Sequence, residues 1–125
     1  MSNTTNRLNY LQAVIDSQLS PTDIMMAESQ HPGKFFHVDV RIAPSKMKGQ
    51  KVIGALEIPL NELPTRLDEL PKDKTIIVST WGATCSLAKS ASIILIQAGF
   101  DVLELSGGVA LWQEFEFPTE DSTYL

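Results

Sequence analysis

The chain has 125 residues, 43% of them hydrophobic, and carries a net charge of −5 at pH 7. This length and composition predict one globular domain with a core of its own. The acidic balance argues against nucleic acid as a main partner, because phosphate backbones are bound by clustered Lys and Arg.

The single cysteine, Cys85, excludes an intramolecular disulfide and leaves too few thiolates for a typical zinc site. We therefore expect no metal and no cofactor. No apolar run approaches the length of a membrane span, and residues 1–10 lack the apolar segment of a signal peptide. These features predict a cytoplasmic protein that binds neither nucleic acid nor a membrane.

The first predicted element is an amphipathic helix within an N-terminal extension of residues 1–19. Its narrow apolar stripe has to be covered, either by the rest of the domain or by a second chain. A protein partner or a homodimer through this helix is therefore one alternative. The stripe has the spacing of one helical face and consists of Leu8, Leu11, Ile15 and Leu19.

A second helix is predicted to begin at Ser20 and to end before His31. Ser20 can cap the first turn, Pro21 suits the first helical position, and Asp23 favours the positive end of the helix dipole. A strand follows over residues 35–40, which are rich in aromatic and β-branched side chains.

The middle of the chain is less regular. Residues 46–51 form a basic loop whose three lysines we expect to be solvated. Residues 52–59 are extended, and residues 60–70 carry leucines at a helical spacing that Pro64 interrupts.

Residues 75–79 form a short apolar strand of the kind that is buried on both faces. A helix follows over residues 86–98 and ends at Gly99, a typical residue for a helix C-terminus. Because Ile93 and Ile96 add to its apolar surface, we expect this helix to be buried on most sides.

The last predicted strand covers residues 101–105, and a Gly-Gly turn leads from it into a short helix over residues 109–115. Residues 119–125 form an acidic tail that we expect to be flexible. Strands thus alternate with helices, which predicts an α/β domain over residues 20–118 with a mostly parallel sheet. In such sheets, ligands bind beyond the carboxyl ends of the strands.

The loop that follows residues 75–79 is the main candidate site. Its small residues Gly82 and Ala83 allow the backbone to curl, so that successive N–H groups face one side. The start of the next helix adds unpaired N–H groups and a positive dipole end. We call this arrangement the amide cradle and expect it to bind a small anion. Its loop consists of Thr80, Trp81, Gly82, Ala83, Thr84, Cys85 and Ser86.

Four segments, in the right order, resemble those of the rhodanese-like family. They are VDVR (38–41), QKVIGALEIPLNEL (50–63), KTIIVSTWGATCSLAKSASIILIQAGF (74–100) and LSGGVALW (105–112). The resemblance implies a three-layer α/β fold with a mostly parallel central sheet flanked by helices, to which the N-terminal helix is added. It also implies sulfur transfer, in which a loop cysteine takes a sulfane sulfur from a donor such as thiosulfate and passes it on. On this resemblance, the ligand in the amide cradle is a small anion or a sulfur-containing compound.

The resemblance places the sulfur-carrying cysteine at the first position of the loop, where this chain has Thr80. A threonine hydroxyl cannot form a persulfide and is a poor nucleophile without an adjacent base. The leading interpretation is a rhodanese-like protein without the standard sulfurtransferase activity, which acts as an anion-binding or regulatory module.

The alternative is a sulfurtransferase, or a persulfide or redox carrier, that uses Cys85 as its catalytic group. A helix N-terminus lowers the pKa of a thiol, yet free cysteines are also among the most buried residues. The resemblance implies that the sixth loop position, occupied by Cys85, points away from the centre of the amide cradle. A phosphatase of the related cell-cycle type is a third and weaker alternative. That chemistry needs a loop-initial cysteine and a loop arginine, and this loop has neither.

Three further residues are predicted at the rim of the pocket. Asp39 and Arg41 match the family's Asp-x-Arg segment, and Lys51 stands where the family usually has a histidine. Arg41 either faces the mouth of the amide cradle or pairs with a surface carboxylate. Trp81 either shields the pocket, contacts a partner or packs against the domain.

Overall fold

Helices and strands alternate along the chain in the computed structural model, which describes residues 2–124. The predicted α/β class is confirmed. The elements in chain order are α1 (Asn3–Ser17), β1 (Gln18–Leu19), α2 (Pro21–Gln30), β2 (Phe35–Asp39), α3 (Ser45–Lys48), β3 (Gln50–Val52), β4 (Leu56–Glu57), two 3₁₀ helices (Leu60–Thr65 and Leu67–Glu69), β5 (Thr75–Ser79), α4 (Leu87–Gln97), β6 (Val102–Leu105), α5 (Gly108–Glu114) and β7 (Thr119–Asp121).

Five strands form one parallel sheet in the order β1–β6–β5–β2–β4. β5 lies in the middle, between β6 and β2, so the loop after Ser79 leaves the centre of the carboxyl edge. A separate antiparallel pair joins β3 to β7, with Gln50 opposite Asp121. The topology therefore places the loop at the edge where parallel sheets bind ligands.

Both faces of the sheet are covered, which explains why the three central residues of β5 are all apolar. Ile76 and Val78 point to one side and belong to the same core as Leu95 of α4. Ile77 points to the other side, into a core that includes Trp112 of α5. Because side chains alternate along a strand, one short apolar run contributes to two cores and joins three layers.

The N-terminal helix differs most from its expected packing. α1 ends at Ser17, before the predicted end at residue 19, because the next two residues pair with β6 as β1. No residue of α1 is buried, and Leu8, Leu11 and Ile15 are 65%, 56% and 69% exposed. The alternative in which this stripe docks on its own domain is therefore wrong for Leu8, Leu11 and Ile15, whereas Leu19, on β1, packs against the core of the domain.

The basic segment is not a solvated loop. Its residues form α3 and β3, and the ammonium of Lys48 lies 2.8 Å from the carboxylate of Glu57, with both side chains buried. Pairing offsets the cost of removing each charge from water. Leu60, Leu63 and Leu67 lie on two 3₁₀ helices and Leu70 follows the second, since Pro64 lacks the N–H that a continuous α-helix needs.

Helix α4 lies where it was predicted, but it is less buried than expected. Ala91 and Leu95 form part of its inner face and are fully buried. Ile93 and Ile96 are 58% and 59% exposed. The prediction of burial on most sides is wrong because the sheet covers one side of the helix.

The acidic tail, which we expected to be flexible, is bound to the domain. β7 pairs with β3, and the backbone N–H groups of Thr123 and Tyr124 donate to the carboxylate of Glu57 at 3.0 and 2.9 Å. The hydroxyl of Ser122 donates to the same carboxylate. The tail packs here because it supplies hydrogen-bond donors to a buried acid.

Candidate functional site

The loop after β5 is held by the turn that begins α5. The backbone N–H groups of Val109 and Ala110 donate to the carbonyls of Thr80 and Trp81, at 2.8 and 3.0 Å. Gly108 has a φ of +64°, and a Cβ at this position would lie 2.6 Å from the carbonyl oxygen of Thr80. Glycine is therefore required for this close approach.

The sulfur of Cys85 lies within the amide cradle. Its Sγ is 3.0 Å from Oγ1 of Thr80, and the backbone N–H groups of Trp81 and Leu87 act on it to lower the pKa of the thiol. The N–H of Cys85 donates to the carbonyl of Gly82 at 3.1 Å, which closes a turn and returns the sulfur to the start of the loop. The expectation that the sixth position points away from the amide cradle is wrong.

These hydrogen bonds favour the thiolate. Burial acts to raise the pKa of Cys85, but the bonds from the Thr80 hydroxyl and from the N–H groups of Leu87 and Trp81 outweigh it. The pKa of Cys85 therefore lies below its ordinary value, because these donors bind the charged form better than the neutral one. Cys85 as a residue is only partly buried.

One buried carboxylate opposes this effect. Glu104 of β6 is 8% exposed, and its charge acts to raise the pKa of Cys85. Its oxygen accepts hydrogen bonds from Lys89 at 3.1 Å and from Gln18 at 3.3 Å. Sequence reasoning missed Glu104, and the available signal was an acidic residue inside an otherwise apolar strand, VLEL.

Arg41 neither faces the mouth of the amide cradle nor pairs with a surface carboxylate. It is 2% exposed, and its Nε and one terminal nitrogen donate to the buried carboxylate of Asp39 at 2.7 to 3.0 Å. Its guanidinium carbon lies 4.7 Å from the centroid of the Trp81 ring. Arg41 thus contacts the loop through Trp81, and Asp39 acts on the loop through Arg41.

The other predicted residues occupy different places. Lys51 lies on β3 and donates to the carbonyl of Ala55, so its ammonium supports the turn before β4. Ala83, Thr84 and Ser86 are exposed on the loop. The structure therefore brings Thr80, Trp81 and Cys85 together, and it leaves Lys51 in a structural contact elsewhere.

Residues 2–124 contain no group of three or more His, Cys, Asp or Glu side chains that could hold a metal ion. Over the same part of the chain, no helix is both long enough and apolar enough to cross a membrane.

The fold and the strand–loop–helix site define the class of rhodanese-like α/β domains, and comparison with known proteins agrees. The model of the rhodanese-like domain family matches residues 24–115. This chain belongs to the rhodanese-like domain family.

Relatives and a solved structure are similar over most of the chain. A sulfurtransferase of Allochromatium vinosum is 30% identical over 82 residues, which are 65% of this chain and 74% of that protein. An HTH-type transcriptional regulator of Mycobacterium tuberculosis is 32% identical over 113 residues, 87% of this chain, which spans only 50% of the regulator's length. The crystal structure of a full-length protein from Lactobacillus plantarum has a TM-score of 0.89 and 28% identity, covering 95% of this chain and 99% of that one.

Proposed function

We propose that this protein carries sulfane sulfur on Cys85. The observation that supports the proposal best is the position of the Cys85 sulfur, which lies 3.0 Å from Oγ1 of Thr80 at the start of the amide cradle. The cradle was expected to hold a small anion from solution. With the sulfur in that position, the anion that it stabilises is the thiolate of Cys85, or the persulfide formed on it.

The chemistry is a transfer of one sulfur atom between thiophiles. The Cys85 thiolate attacks the outer sulfur of a donor such as thiosulfate, forming a new S–S bond. The S–S bond of the donor breaks, and its electron pair leaves with sulfite. The persulfide anion then passes its outer sulfur to an acceptor such as cyanide, which leaves as thiocyanate and regenerates the thiolate. The two steps balance without an external oxidant.

Thr80 supports this reaction as a hydrogen-bond donor. Its side chain is 1% exposed, and its hydroxyl lies 3.0 Å from the Cys85 sulfur. A hydroxyl without an adjacent base is a poor nucleophile. We therefore assign Thr80 the stabilisation of the sulfur anion and leave the covalent step to Cys85.

The second candidate is a rhodanese-like module that binds an anion or a protein and transfers no sulfur. The replacement of the loop-initial cysteine by Thr80 favours this function. The filling of the amide cradle by the chain's own sulfur weighs against it, because an anion from solution would compete for the same donors. A cytoplasmic location, the absence of nucleic-acid binding, and a protein partner or homodimer through α1 all stay predictions.

The test is to treat the purified protein with thiosulfate and to weigh the intact chain by mass spectrometry. We expect one added sulfur atom on Cys85, its removal by cyanide, and neither event in Cys85→Ser. Steady-state formation of thiocyanate from thiosulfate and cyanide should depend on Cys85 in the same way.

A matched control combines Cys85→Ser with Thr84→Cys. Thr84 is exposed one residue away, so this variant keeps a loop thiol but moves it from its Cys85 position. We expect it to transfer sulfur far more slowly than the unaltered protein. An unmodified Cys85 after thiosulfate treatment, together with background thiocyanate formation, would overturn the proposed function and favour the module.

A further inference from the structure

Arg41 is hydrogen-bonded to two parts of the fold and also contacts the loop. One terminal nitrogen donates to Asp39 at 2.7 Å and to the carbonyl of Gln50 at 2.8 Å. Through Gln50 the guanidinium is attached to β3, which is itself paired with β7. A buried arginine held by a bidentate carboxylate and a backbone carbonyl has little freedom to move.

The guanidinium of Arg41 lies over the Trp81 ring, with 4.7 Å between its central carbon and the ring centroid. A cation–π contact of this kind adds a directional attraction to the packing of the ring. The main chain of Trp81 is held as well, because its carbonyl accepts from the N–H of Ala110 at 3.0 Å. The remaining polar group of the Trp81 main chain, its N–H, acts to lower the pKa of Cys85, whose sulfur lies 3.0 Å from Oγ1 of the adjacent Thr80.

We infer that Arg41 is a positioning residue for Cys85. Arg41 holds Trp81 so that the backbone N–H of Trp81 points at the Cys85 sulfur. The role of this alignment in sulfur transfer rests on the proposed function, whereas the alignment itself is a property of the thiol. Arg41 touches no reacting atom, so its effect is indirect and depends on the geometry of its planar group.

Other charges act on the same thiol and have to be separated from this effect. Glu104 of β6 acts to raise the pKa of Cys85, and Lys89 of α4 pairs with Glu104. The charge of Arg41 is balanced by Asp39 at short range. Arg41→Lys keeps the positive charge but loses the planar face and the fork, so it tests geometry and leaves the charge unchanged.

The experiment measures the rate of Cys85 alkylation by iodoacetamide across pH. Cys85 is the single cysteine of the chain, so the signal reports on one thiol. The midpoint of the pH profile gives the thiol pKa, and the plateau gives the accessibility of the thiolate. We expect Arg41→Lys and Trp81→Ala to raise the midpoint by about one unit, or about tenfold less thiolate at a pH below it. Trp81→Phe keeps an aromatic face and should stay near the unaltered protein.

The matched control is Arg66→Lys. The Arg66 guanidinium lies 5.4 Å from the ring centroid of Tyr124, an arginine–aromatic stack that belongs to the tail and not to the Cys85 loop. The midpoint of the Cys85 alkylation profile should be the same in Arg66→Lys as in the unaltered protein. Adding Arg41→Lys to Trp81→Ala should cause no further shift, since the first change already removes the ring that Arg41 holds.

Two results would overturn the inference. The first is that Arg41→Lys and Trp81→Ala have the same pH midpoint as the unaltered protein. The second is that these variants raise the plateau of the alkylation rate without moving the midpoint. The second result would mean that the stack covers the thiol without aligning its donor. If Arg41→Lys fails to fold, a comparison of Trp81→Ala with Trp81→Phe still tests whether the aromatic ring is needed. Equal pH midpoints for these two variants would overturn the inference. The alkylation experiment contains no sulfur donor, so its result does not depend on whether the protein transfers sulfur.

Discussion

The hydroxyl of Thr80 lies 3.0 Å from the sulfur of Cys85. These residues are the first and the sixth of the loop, so the curl of the backbone brings the sixth position back to the first. The family resemblance places the sulfur carrier at the position of Thr80. In this chain a thiol from the far end of the loop contacts Thr80 itself, and the Thr80 variants below test this contact.

Replacing Thr80 by Val removes the hydroxyl but keeps the shape of the side chain. We expect the pKa of Cys85 to rise by about one unit, because one hydrogen bond to a charged group is lost. Thr80→Ser keeps the hydroxyl and should change the pKa less. The pH profile of iodoacetamide alkylation measures both, and equal profiles for the two variants would show that the hydroxyl does not stabilise the thiolate.

Thr80→Cys should produce a loop whose two thiols oxidise to an intramolecular disulfide under mild oxidation. The reason is proximity, since the present contact between the two side chains is 3.0 Å. Intact mass and thiol titration measure the product. In the control, Thr84→Cys, the added thiol is exposed on the loop and should remain free or form disulfides between chains. Failure of Thr80→Cys to oxidise more readily than Thr84→Cys would contradict the loop geometry.

Gly108→Ala should destabilise the domain by at least about 2 kcal/mol, because a Cβ would collide with backbone atoms at a positive φ. The nearest atoms would be the carbonyl oxygen of Thr80 at 2.6 Å and the nitrogen of Gly82 at 2.7 Å. The control is Gly54→Ala, where φ is +76° but no atom lies within 4 Å. It should cost only the backbone strain, about 1 kcal/mol.

Urea denaturation measures both glycine variants. If they lose equal stability, the close approach between the α5 turn and the Cys85 loop does not contribute to folding.

Glu57 should make stability depend on pH in the acid range. Burial acts to raise its pKa, but bonds from Lys48, Ser122, Thr123 and Tyr124 lower the pKa of Glu57 from 4.5 to about 2. A depressed pKa means that the contribution is present above about pH 4.5 and is lost as the pH falls towards 2. The shift corresponds to roughly 3 kcal/mol at neutral pH.

The difference in unfolding free energy between the unaltered protein and Glu57→Gln measures this contribution. It should be large at pH 7 and shrink between pH 4.5 and pH 2. Glu114→Gln, on the exposed side of α5, should show no such trend. A difference that stays constant across this range would rule out the paired carboxylate as its source.

Removing residues 1–17 should change the free energy of unfolding by less than about 1 kcal/mol, since surface changes cost little. No residue of α1 is buried, so the deletion takes no side chain out of either core. Urea denaturation checks the effect, and a loss of several kcal/mol would show that α1 supports the domain. Sedimentation of both chains tests the predicted homodimer, which should be lost with α1.

Local patterns in the sequence predicted much of the fold. The helix start at Ser20 is confirmed, because its side chain accepts from the N–H of Asp23 as the motif requires. The strand over residues 75–79 and the helix after the loop are confirmed within a residue. Burial was predicted less well: Lys48 was expected in solvent and is buried, and Ile93 was expected to be buried and is exposed. Burial depends on which element covers a side chain, and a pattern within one element does not contain that information.

The sequence by itself determined the α/β order, the rhodanese-like family and the strand–loop–helix that carries Cys85. Periodicity, capping and motif order are local properties of a chain, so they can be read without coordinates. Only the tertiary structure decided that the Cys85 sulfur meets Thr80, that Arg41 lies over Trp81 and that Glu104 acts on the thiol. These relationships depend on the curl of a loop and on the packing of strands from distant parts of the chain, and packing is what sets the distances between their atoms.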